Sequence, residues 1–117
     1  MLAMIAVASA LADDWWSYIS YSGCTTIASA VAEDYGSNDY VTGGNWDYAG
    51  CAANVASKVQ YHHDGSWDDT GWTIHGTTAV ATVPAGYDDS LARPNNQIER
   101  TSGDWSGFYY SSFLVPD

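Results

Sequence analysis

Residues 43–72, GGNWDYAGCAANVASKVQYHHDGSWDDTGW, decide the predicted fold of this chain. Apolar side chains recur at helical spacing in the middle of the stretch, at Tyr48, Cys51, Ala52, Val55, Val59 and His62. This stripe predicts a helix over residues 48–62, with Asp47 capping its first turn. A Gly-x-Trp-Asp segment lies on each side of that helix, at residues 44–47 and 65–68.

Another helix is predicted upstream, over residues 26–35. Its apolar stripe consists of Ile27, Ala28, Val31 and Tyr35, and Gly36 is typical of the position just beyond a helix. Three further segments predict strands, because their aromatic and β-branched residues alternate in direction: residues 14–21, 71–83 and 105–115. Residues 87–104 are polar, carry the turn sequence Pro94-Asn95-Asn96 and predict irregular structure.

These elements together predict an α+β fold. We expect a small two-layer α/β sandwich, in which an antiparallel sheet of three to five strands carries two helices on one face. A chain of 117 residues is long enough for one domain and no more. Residues 13–117 are therefore predicted to form a single secreted α+β domain.

The N-terminal sequence MLAMIAVASALA, residues 1–12, predicts a secretory signal peptide. It is uncharged and apolar, ends in Ala10-Leu11-Ala12 and is followed at once by Asp13-Asp14. The basic n-region is missing, so the peptide is truncated or its start is misassigned. Twelve residues are too few to span a bilayer as a helix, so no stable membrane span is expected. The alternative interpretation is a buried N-terminal helix.

The chain has two cysteines, Cys24 and Cys51. In an oxidising extracellular compartment, two cysteines most simply form one disulfide. Closing the loop between them stabilises a small domain by about 3.5 kcal/mol on the chain-entropy estimate. The alternative is two separate buried thiols.

The net charge of the chain limits the classes of molecule that it is expected to bind. The chain carries 14 acidic residues against 3 Lys and Arg, a formal net charge of −11. Such a surface repels phosphate backbones and anionic lipid, so we expect no nucleic-acid partner and no electrostatic docking on a membrane. The composition suits an acidic medium, where carboxylates are protonated, or a high-salt medium, where like charges are screened.

Candidate ligand-binding residues lie in the Gly-x-Trp segments, at Trp46, Asp47, Trp67, Asp68 and Trp105. A flat indole ring can pack on the C–H groups of a sugar, while carboxylates and amides bind its hydroxyls. The pattern predicts a carbohydrate-binding module or lectin. The alternative is structural, since a tryptophan at the end of an element can plug a small core, and Gly-Asx sequences mark turns.

Catalysis has no recognisable signature in this sequence. It lacks a Gly-x-Ser-x-Gly elbow and a phosphate-binding glycine loop, and a disulfide would leave no free thiol. Side chains of the right type for a divalent cation occur at His62, His63, Asp64, Asp68, Asp69 and His75. Their spacing matches neither a zinc motif nor a calcium loop, so metal binding stays open. We expect a non-enzymatic protein without a cofactor and leave its oligomeric state open.

Three segments carry a resemblance to a known group: Thr25-Thr26-Ile27-Ala28, Gly50-Cys51-Ala52-Ala53 and residues 102–109, SGDWSGFY. Together with the predicted leader, they resemble small secreted fungal proteins of the killer-toxin type. The resemblance implies an α/β sandwich, secretion, and action on the envelope or membrane of competing cells without enzymatic turnover.

The predicted function is accordingly a secreted, non-catalytic killer-toxin-like or effector protein that binds a cell-surface component of other cells. Its expected partner is a cell-wall glycan or a cell-surface receptor. The alternative function is the carbohydrate-binding module or lectin, acting through its Trp-containing loops.

Overall fold

The computed structural model describes residues 12–35, 38–63, 65–83, 91–111, 113 and 114, which form strands joined by turns. The strands are β1 (Ala12–Tyr21), β2 (Cys24–Tyr35), β3 (Asn38–Trp46), β4 (Asn54–His63), β5 (Ser66–Asp69), β6 (Thr73–His75), β7 (Thr78–Thr82), β8 (Leu91–Glu99) and β9 (Tyr109–Tyr110). Ala12, the last residue of the predicted signal peptide, begins β1; residues 1–11 lie outside the described residues.

The strands form two antiparallel sheets. The first sheet has the order β1-β2-β3-β7, and the second has the order β5-β4-β8-β9, with β6 also paired to β4. Their inner surfaces are in close contact at Gly43 of β3. A Cβ atom added there would lie 3.0 Å from Cγ2 of Val59 and 3.3 Å from Cβ of Pro94, both in the second sheet. The fold is therefore an all-β sandwich.

The predicted α+β fold is wrong, because neither predicted helix forms: the first is part of a strand, and the second is a connection followed by a strand. Residues 26–35 belong to β2, which pairs with β1 on one edge and β3 on the other. The buried residues of β2 recur at every second position, at Cys24, Thr26, Ala28, Ala30 and Ala32. Small side chains at these inner positions let the second sheet approach, and the same alanines imitate a helical stripe.

The tight turn before β2 is a second reason why the predicted first helix does not form. Ser22 and Gly23 join β1 to β2 as a two-residue turn, and both have positive φ angles, 51° and 83°. Turns of this kind match the twist of the strands that they connect, and glycine adopts the second angle without steric cost. The Ser-Gly pair therefore starts a hairpin rather than a helix.

The predicted second helix divides into a connection and a strand. Residues 48–53 are a turn-rich connection, and β4 follows as the central strand of the second sheet. The side chains of Val55, Ser57, Val59 and Tyr61 are buried at a period of two. β-branched residues favour this extended conformation, and pairing on both edges of β4 overrides the weak helical pattern.

The other predicted segments are partly right. Residues 14–21 are a strand, with the predicted alternation between inner and outer side chains. The predicted strand at residues 71–83 divides at Gly76 into β6 and β7, which belong to different sheets. The segment predicted to be irregular, residues 87–104, contains β8. The last predicted strand, residues 105–115, contains β9 and isolated pairings at Trp105 and Leu114.

The core is made by apolar residues of both sheets. Its main cluster comprises Ala30, Ala32, Val41, Val59, Tyr61, Ala81, Val83, Ala92 and Leu114, and a second cluster comprises Ile19, Cys24, Ala28 and Ile98. Burial of these side chains supplies the main favourable free energy of folding.

A buried amide links the two sheets. Asn45 of β3 is 1 % exposed and accepts a hydrogen bond from Thr26 Oγ1 at 2.6 Å within the first sheet. Its Nδ2 donates across the interface to the backbone oxygens of Gln97 at 3.0 Å and Ala56 at 3.3 Å in the second sheet. The side chain therefore has its donors and acceptor satisfied inside the core.

One end of the sandwich, here called the disulfide end, is tied covalently. The predicted disulfide between Cys24 and Cys51 is confirmed, with Cα atoms 5.5 Å apart. It joins β2 to the connection between β3 and β4. Arg100, beyond β8, donates hydrogen bonds to the backbone oxygens of Ser22, at 3.1 Å, and Cys51. Both sheets are thus fastened at this end.

Candidate functional site

The outer surface of the first sheet is the candidate site, here called the aromatic face. Because side chains alternate along a strand, the residues between buried positions point away from the second sheet. These outward positions carry large exposed apolar side chains, at Trp16, Tyr18, Val31, Tyr40, Trp46 and Val80. A contiguous patch of exposed apolar side chains on a folded protein often marks an interaction site.

Four aromatic residues near the disulfide end form a connected set, here called the ring strip. The centroids of Trp16 and Tyr18 are 5.4 Å apart, those of Tyr18 and Tyr48 are 6.3 Å apart, and those of Tyr48 and Trp46 are 5.8 Å apart. Tyr48 comes from the connection after β3, which the disulfide holds through Cys51. Edge-to-face contacts keep the rings in position, so their exposed surfaces are pre-organised for a ligand.

The strand register places two short outward residues beside the ring strip, and we infer from this a shallow low area of the surface, here called the depression. Ser29 of β2 and Gly44 of β3 are paired, point outward and have almost no side chain to fill the surface. Trp16 pairs with Ser29 on one side, and Val80 pairs with Gly44 on the other. These two walls are three strand spacings apart, roughly 14 Å. Trp46 is the next outward residue after Gly44 and closes the depression along the strand direction.

The aromatic face carries hydroxyl groups but no Lys or Arg. Outward hydroxyls occur at Ser20, Thr25, Ser29, Thr42, Thr78 and Thr82. Lys58 and Arg93 lie on the outer surface of the second sheet, and Arg100 lies at the disulfide end, which accounts for every Lys and Arg of the chain. Asp14, exposed on β1, adds a carboxylate to the aromatic face. The chain charge of −11 is therefore not offset by any Lys or Arg on this face.

The outer surface of the second sheet, here called the cationic face, also carries rings. The guanidinium carbon of Arg93 is 4.2 Å from the ring centroid of Tyr110 and 4.9 Å from that of Phe113. Arg93 Nη2 donates to Gln60 Oε1 at 3.1 Å. The two ring contacts are cation–π interactions, so these rings have a partner within the protein.

The other rings of the cationic face are also in contact with neighbours. Lys58 Nζ lies 4.9 Å from the ring centroid of Trp72 and 3.7 Å from Asp69 Oδ2. Trp67 packs against His62 and Phe113, with centroid separations of 5.2 and 5.5 Å. Half of Trp67 is still exposed, so exposure alone does not separate the two faces.

The structure does not bring the five predicted ligand-binding residues together. Trp46 belongs to the ring strip on the aromatic face. Trp67 and Asp68 lie on β5 in the second sheet, and Trp105 is half-buried in the β8–β9 connection, paired with Glu99. Asp47 follows Trp46 but is only 4 % exposed.

Asp47 shapes the connection that presents Tyr48. Its carboxylate accepts hydrogen bonds from the backbone N–H groups of Cys51 at 3.1 Å and Ala52 at 2.9 Å. Oδ1 also lies 3.6 Å from Cys51 Sγ, so Cys24, Cys51 and Asp47 are close enough to resemble a metal-ligand group. Disulfide sulfurs offer no thiolate to a cation, and the carboxylate is already engaged. This cluster is structural.

The described histidines from the predicted metal-binding candidates have neighbours within the protein. His62 stacks edge-on against Trp67, and His75 Nδ1 accepts backbone N–H groups of Thr77 at 3.1 Å and Thr78 at 3.2 Å. His75 therefore shapes the turn that carries the chain from the second sheet to the first. Asp64 and the side chain of His63 lie outside the described residues.

Two titratable groups at the disulfide end have shifted pKa values. The pKa of Glu99 is lowered, first by the hydrogen bond from Asn54 Nδ2 at 2.7 Å and then by that from the Gly103 N–H at 2.7 Å. The pKa of Tyr21 is raised, mainly because its hydroxyl donates to Asp104 Oδ1 at 2.5 Å. These contacts tie the β8–β9 connection to both sheets.

Sequence reasoning missed most of the aromatic face. It placed Trp16 and Tyr18 on one side of a strand but did not assign that side to solvent. It assigned Tyr48 to a helical stripe, and it gave no role to Ser29 or Gly44. The available signal was the period-two pattern of residues 24–32, which identifies β2 as a strand and places Ser29 outside.

Comparison with protein-family models, with curated proteins and with solved structures found no match. Within the described ranges, no helix is long and apolar enough to cross a membrane. The disulfide is consistent with an extracellular protein.

Proposed function

We propose that this protein is an extracellular, non-catalytic carbohydrate-binding domain whose ligand packs on the aromatic face. The observation that carries the proposal is the ring strip, in which exposed and mutually supported rings lie beside outward hydroxyls. The proposal retains the alternative function predicted from the sequence but moves the site from separate loops to a sheet surface.

The chemistry of the face suits a sugar better than a purely apolar partner. One side of a sugar ring presents C–H groups that pack on an aromatic ring, while its hydroxyls exchange hydrogen bonds with Ser and Thr. Trp16 and Trp46 supply the rings, and Ser29, which pairs with Trp16 on one side and with Gly44 on the other, supplies a hydroxyl beside them. Apolar contact therefore supplies affinity, and the hydroxyls supply orientation.

Secretion itself stays a prediction, because it rests on residues 1–12. Toxic action on other cells likewise stays a prediction. The resemblance that suggested it implied an α/β sandwich, and this sandwich is all-β. Binding to a cell-wall glycan is the part of that prediction that the present proposal keeps.

The test is affinity electrophoresis through gels that contain soluble polysaccharides, comparing Trp46→Ala with Trp67→Ala. The two side chains are similarly exposed, 47 % and 50 %, but lie on opposite faces. We expect Trp46→Ala to weaken binding at least tenfold, the equivalent of about 1.4 kcal/mol, because it removes a stacking ring. Trp67→Ala should bind as the wild type does.

Urea denaturation of each variant serves as the control for folding. Loss of binding in Trp67→Ala with retention in Trp46→Ala would move the site to the cationic face. A wild-type protein that no polysaccharide retards would contradict the proposed function.

A further inference from the structure

The depression at Ser29 and Gly44 points to the place and the class of the ligand. We infer that an uncharged glycan seats one sugar unit over this depression, between Trp16 and Trp46. The inference rests on the proposed function and adds two statements to it: where on the aromatic face the ligand lies, and which charge class it belongs to.

The shape of the depression supports the first statement. Gly44 has no side chain, and an atom added at its Cβ position would lie 3.5 Å from the Ala79 backbone oxygen and 3.6 Å from Ser29 Oγ. The floor is therefore the backbone of two neighbouring strands and one short hydroxyl. Indole rings rise on two sides of it, so a sugar ring can contact both aromatic surface and a hydrogen-bonding floor.

The floor also offers a free hydrogen-bonding group. Four other hydroxyls of the face are paired with each other, Ser20 with Thr25 at 2.7 Å and Thr42 with Thr82 at 3.3 Å. The Ser29 hydroxyl has no hydrogen-bond partner among the described residues. It can therefore donate to a sugar oxygen and accept from a sugar hydroxyl without breaking a bond within the protein.

The charges support the second statement. A glycan with carboxylate or sulfate groups would approach a chain of net charge −11 at a face that carries Asp14 and, beside Tyr40, the partly exposed Glu33. None of the three Lys and Arg side chains, all of which lie in the described part of the chain, is on that face to pair with an anion. Like-charge contacts of this kind cost free energy and slow association. An uncharged glycan escapes both penalties.

The same charges argue against a second copy of the chain as the occupant. Two aromatic faces in contact would bring together two molecules that each carry −11. The repulsion opposes association wherever salt does not screen it. A neutral polymer with C–H surfaces and hydroxyls matches the face without this cost.

The decisive variant is Gly44→Leu, which fills the depression from its floor. The matched control is Gly107→Leu, in the β8–β9 connection, where an added Cβ meets no atom within 4 Å. Affinity gels would contain hydroxyethylcellulose, laminarin or mannan as uncharged probes, and polygalacturonate or dextran sulfate as anionic probes. Chitosan would report attraction by charge alone, which salt should abolish. Ser29→Ala provides a second variant without added bulk.

We expect at least one uncharged polysaccharide to bind, Gly44→Leu to weaken that binding at least tenfold, Ser29→Ala to weaken it a few-fold, and Gly107→Leu to leave it unchanged. If Gly44→Leu binds as the wild type does while Trp46→Ala loses binding, the ligand does not lie over the depression. The proposed function would still hold. Selective binding of the anionic probes overturns the charge class. No binding by any probe contradicts the proposed function itself.

Size-exclusion chromatography with light scattering completes the test. We expect wild-type protein and Gly44→Leu to have the same monomeric mass. A wild-type dimer that Gly44→Leu converts to a monomer would show that a second copy, rather than a glycan, covers the depression.

Discussion

The two outer faces of the sandwich both carry aromatic rings but use them differently. On the cationic face, Arg93 lies against Tyr110 and Phe113, and Lys58 lies over Trp72. Ring surface there is already used within the protein. On the aromatic face the rings contact one another by their edges, and Trp16 remains 62 % exposed.

Aromatic content alone therefore does not identify a binding surface. A ring that stacks on a cation stabilises the fold, whereas a ring that is held at its edge and exposed on its surface is prepared for a ligand. The placement of Lys58 and Arg93 therefore distinguishes the cationic face, where they contact aromatic rings, from the proposed binding surface.

The largest expected effect concerns the disulfide, which supports the aromatic face through the connection that carries Tyr48. We expect Cys24→Ala/Cys51→Ala to lower the free energy of unfolding by about 3.5 kcal/mol, because the unfolded chain regains the freedom of an open loop. Glycan affinity should fall as well, since Tyr48 loses its anchor. Urea denaturation and affinity electrophoresis measure the two effects.

Reduction of the wild-type protein with dithiothreitol is the control for the double variant. It should reproduce the same loss of stability. A double variant that unfolds at the wild-type urea concentration would show that the surrounding hydrogen bonds, and not the covalent link, fasten this end.

The next effect compares the two sides of β3. Gly43→Ala adds a methyl group 3.0 Å from Val59 and 3.3 Å from Pro94, so we expect a loss of about 1–2 kcal/mol from overpacking. Gly44→Ala adds its methyl to the outer side at ordinary contact distances and should be neutral or slightly stabilising. Thermal unfolding of both variants measures the contrast, and equal stabilities would contradict the assignment of inner and outer sides.

A smaller effect is expected on the cationic face. Arg93→Met removes the charge between two rings and the hydrogen bond to Gln60, and should destabilise by about 1–2 kcal/mol. Lys58→Met, which removes a partly exposed ion pair with Asp69, should cost less than about 1 kcal/mol. Both variants should bind glycan as the wild type does. Impaired binding in Arg93→Met would mean that the cationic face contributes to the site.

The smallest effect is the pH dependence of the stability contributed by Glu99. This residue lies at the disulfide end, which both faces share. The folded pKa of Glu99 lies below its ordinary value of 4.5, so ionised Glu99 stabilises the fold above that pH. This contribution is lost as the pH falls through the lowered pKa. The stability difference between wild type and Glu99→Gln should therefore be constant from pH 7 to about 5 and shrink in more acidic solution.

Tyr21 serves as a control, because its pKa is shifted in the opposite direction to that of Glu99. Its folded pKa lies above the ordinary value of 10.0, so the hydrogen bond to Asp104 stabilises the fold below that pH. The contribution disappears as the pH rises through the raised pKa. The advantage of wild type over Tyr21→Phe should vanish only in alkaline solution. A Glu99 difference that stays constant down to pH 2 would contradict the hydrogen-bonded arrangement.

The sequence predicted the local alternation of β1 and the disulfide correctly, because both follow from chemistry that needs no knowledge of distant partners. It failed for β2 and β4. Ala28 and Val31 fit a helical stripe as well as they fit opposite sides of a strand. β2 is extended because β1 and β3 pair on its two edges, and Ala28 is buried because it faces the second sheet. Pairing between distant segments is not visible in a local pattern.

The candidate site, too, could be predicted only in part from local sequence patterns. Trp46 was identified from its Gly-x-Trp segment, but Asp47 beside it is buried against the disulfide, and Trp67 lies on the other sheet. The depression depends on Ser29 and Gly44 being neighbours, although they belong to different strands. Short residues acquire this role only through the register between two strands.

The hydrogen bonds of Asn45 have a consequence for how the two sheets are aligned. Apolar surfaces in contact can slide past one another with little change in energy, because burial depends on area and not on direction. A slip at this interface would separate Asn45 Nδ2 from the backbone oxygens of Gln97 and Ala56 and leave a buried donor without its acceptors. The Asn45 amide therefore fixes the alignment of the two sheets, which apolar contact alone would leave free to shift.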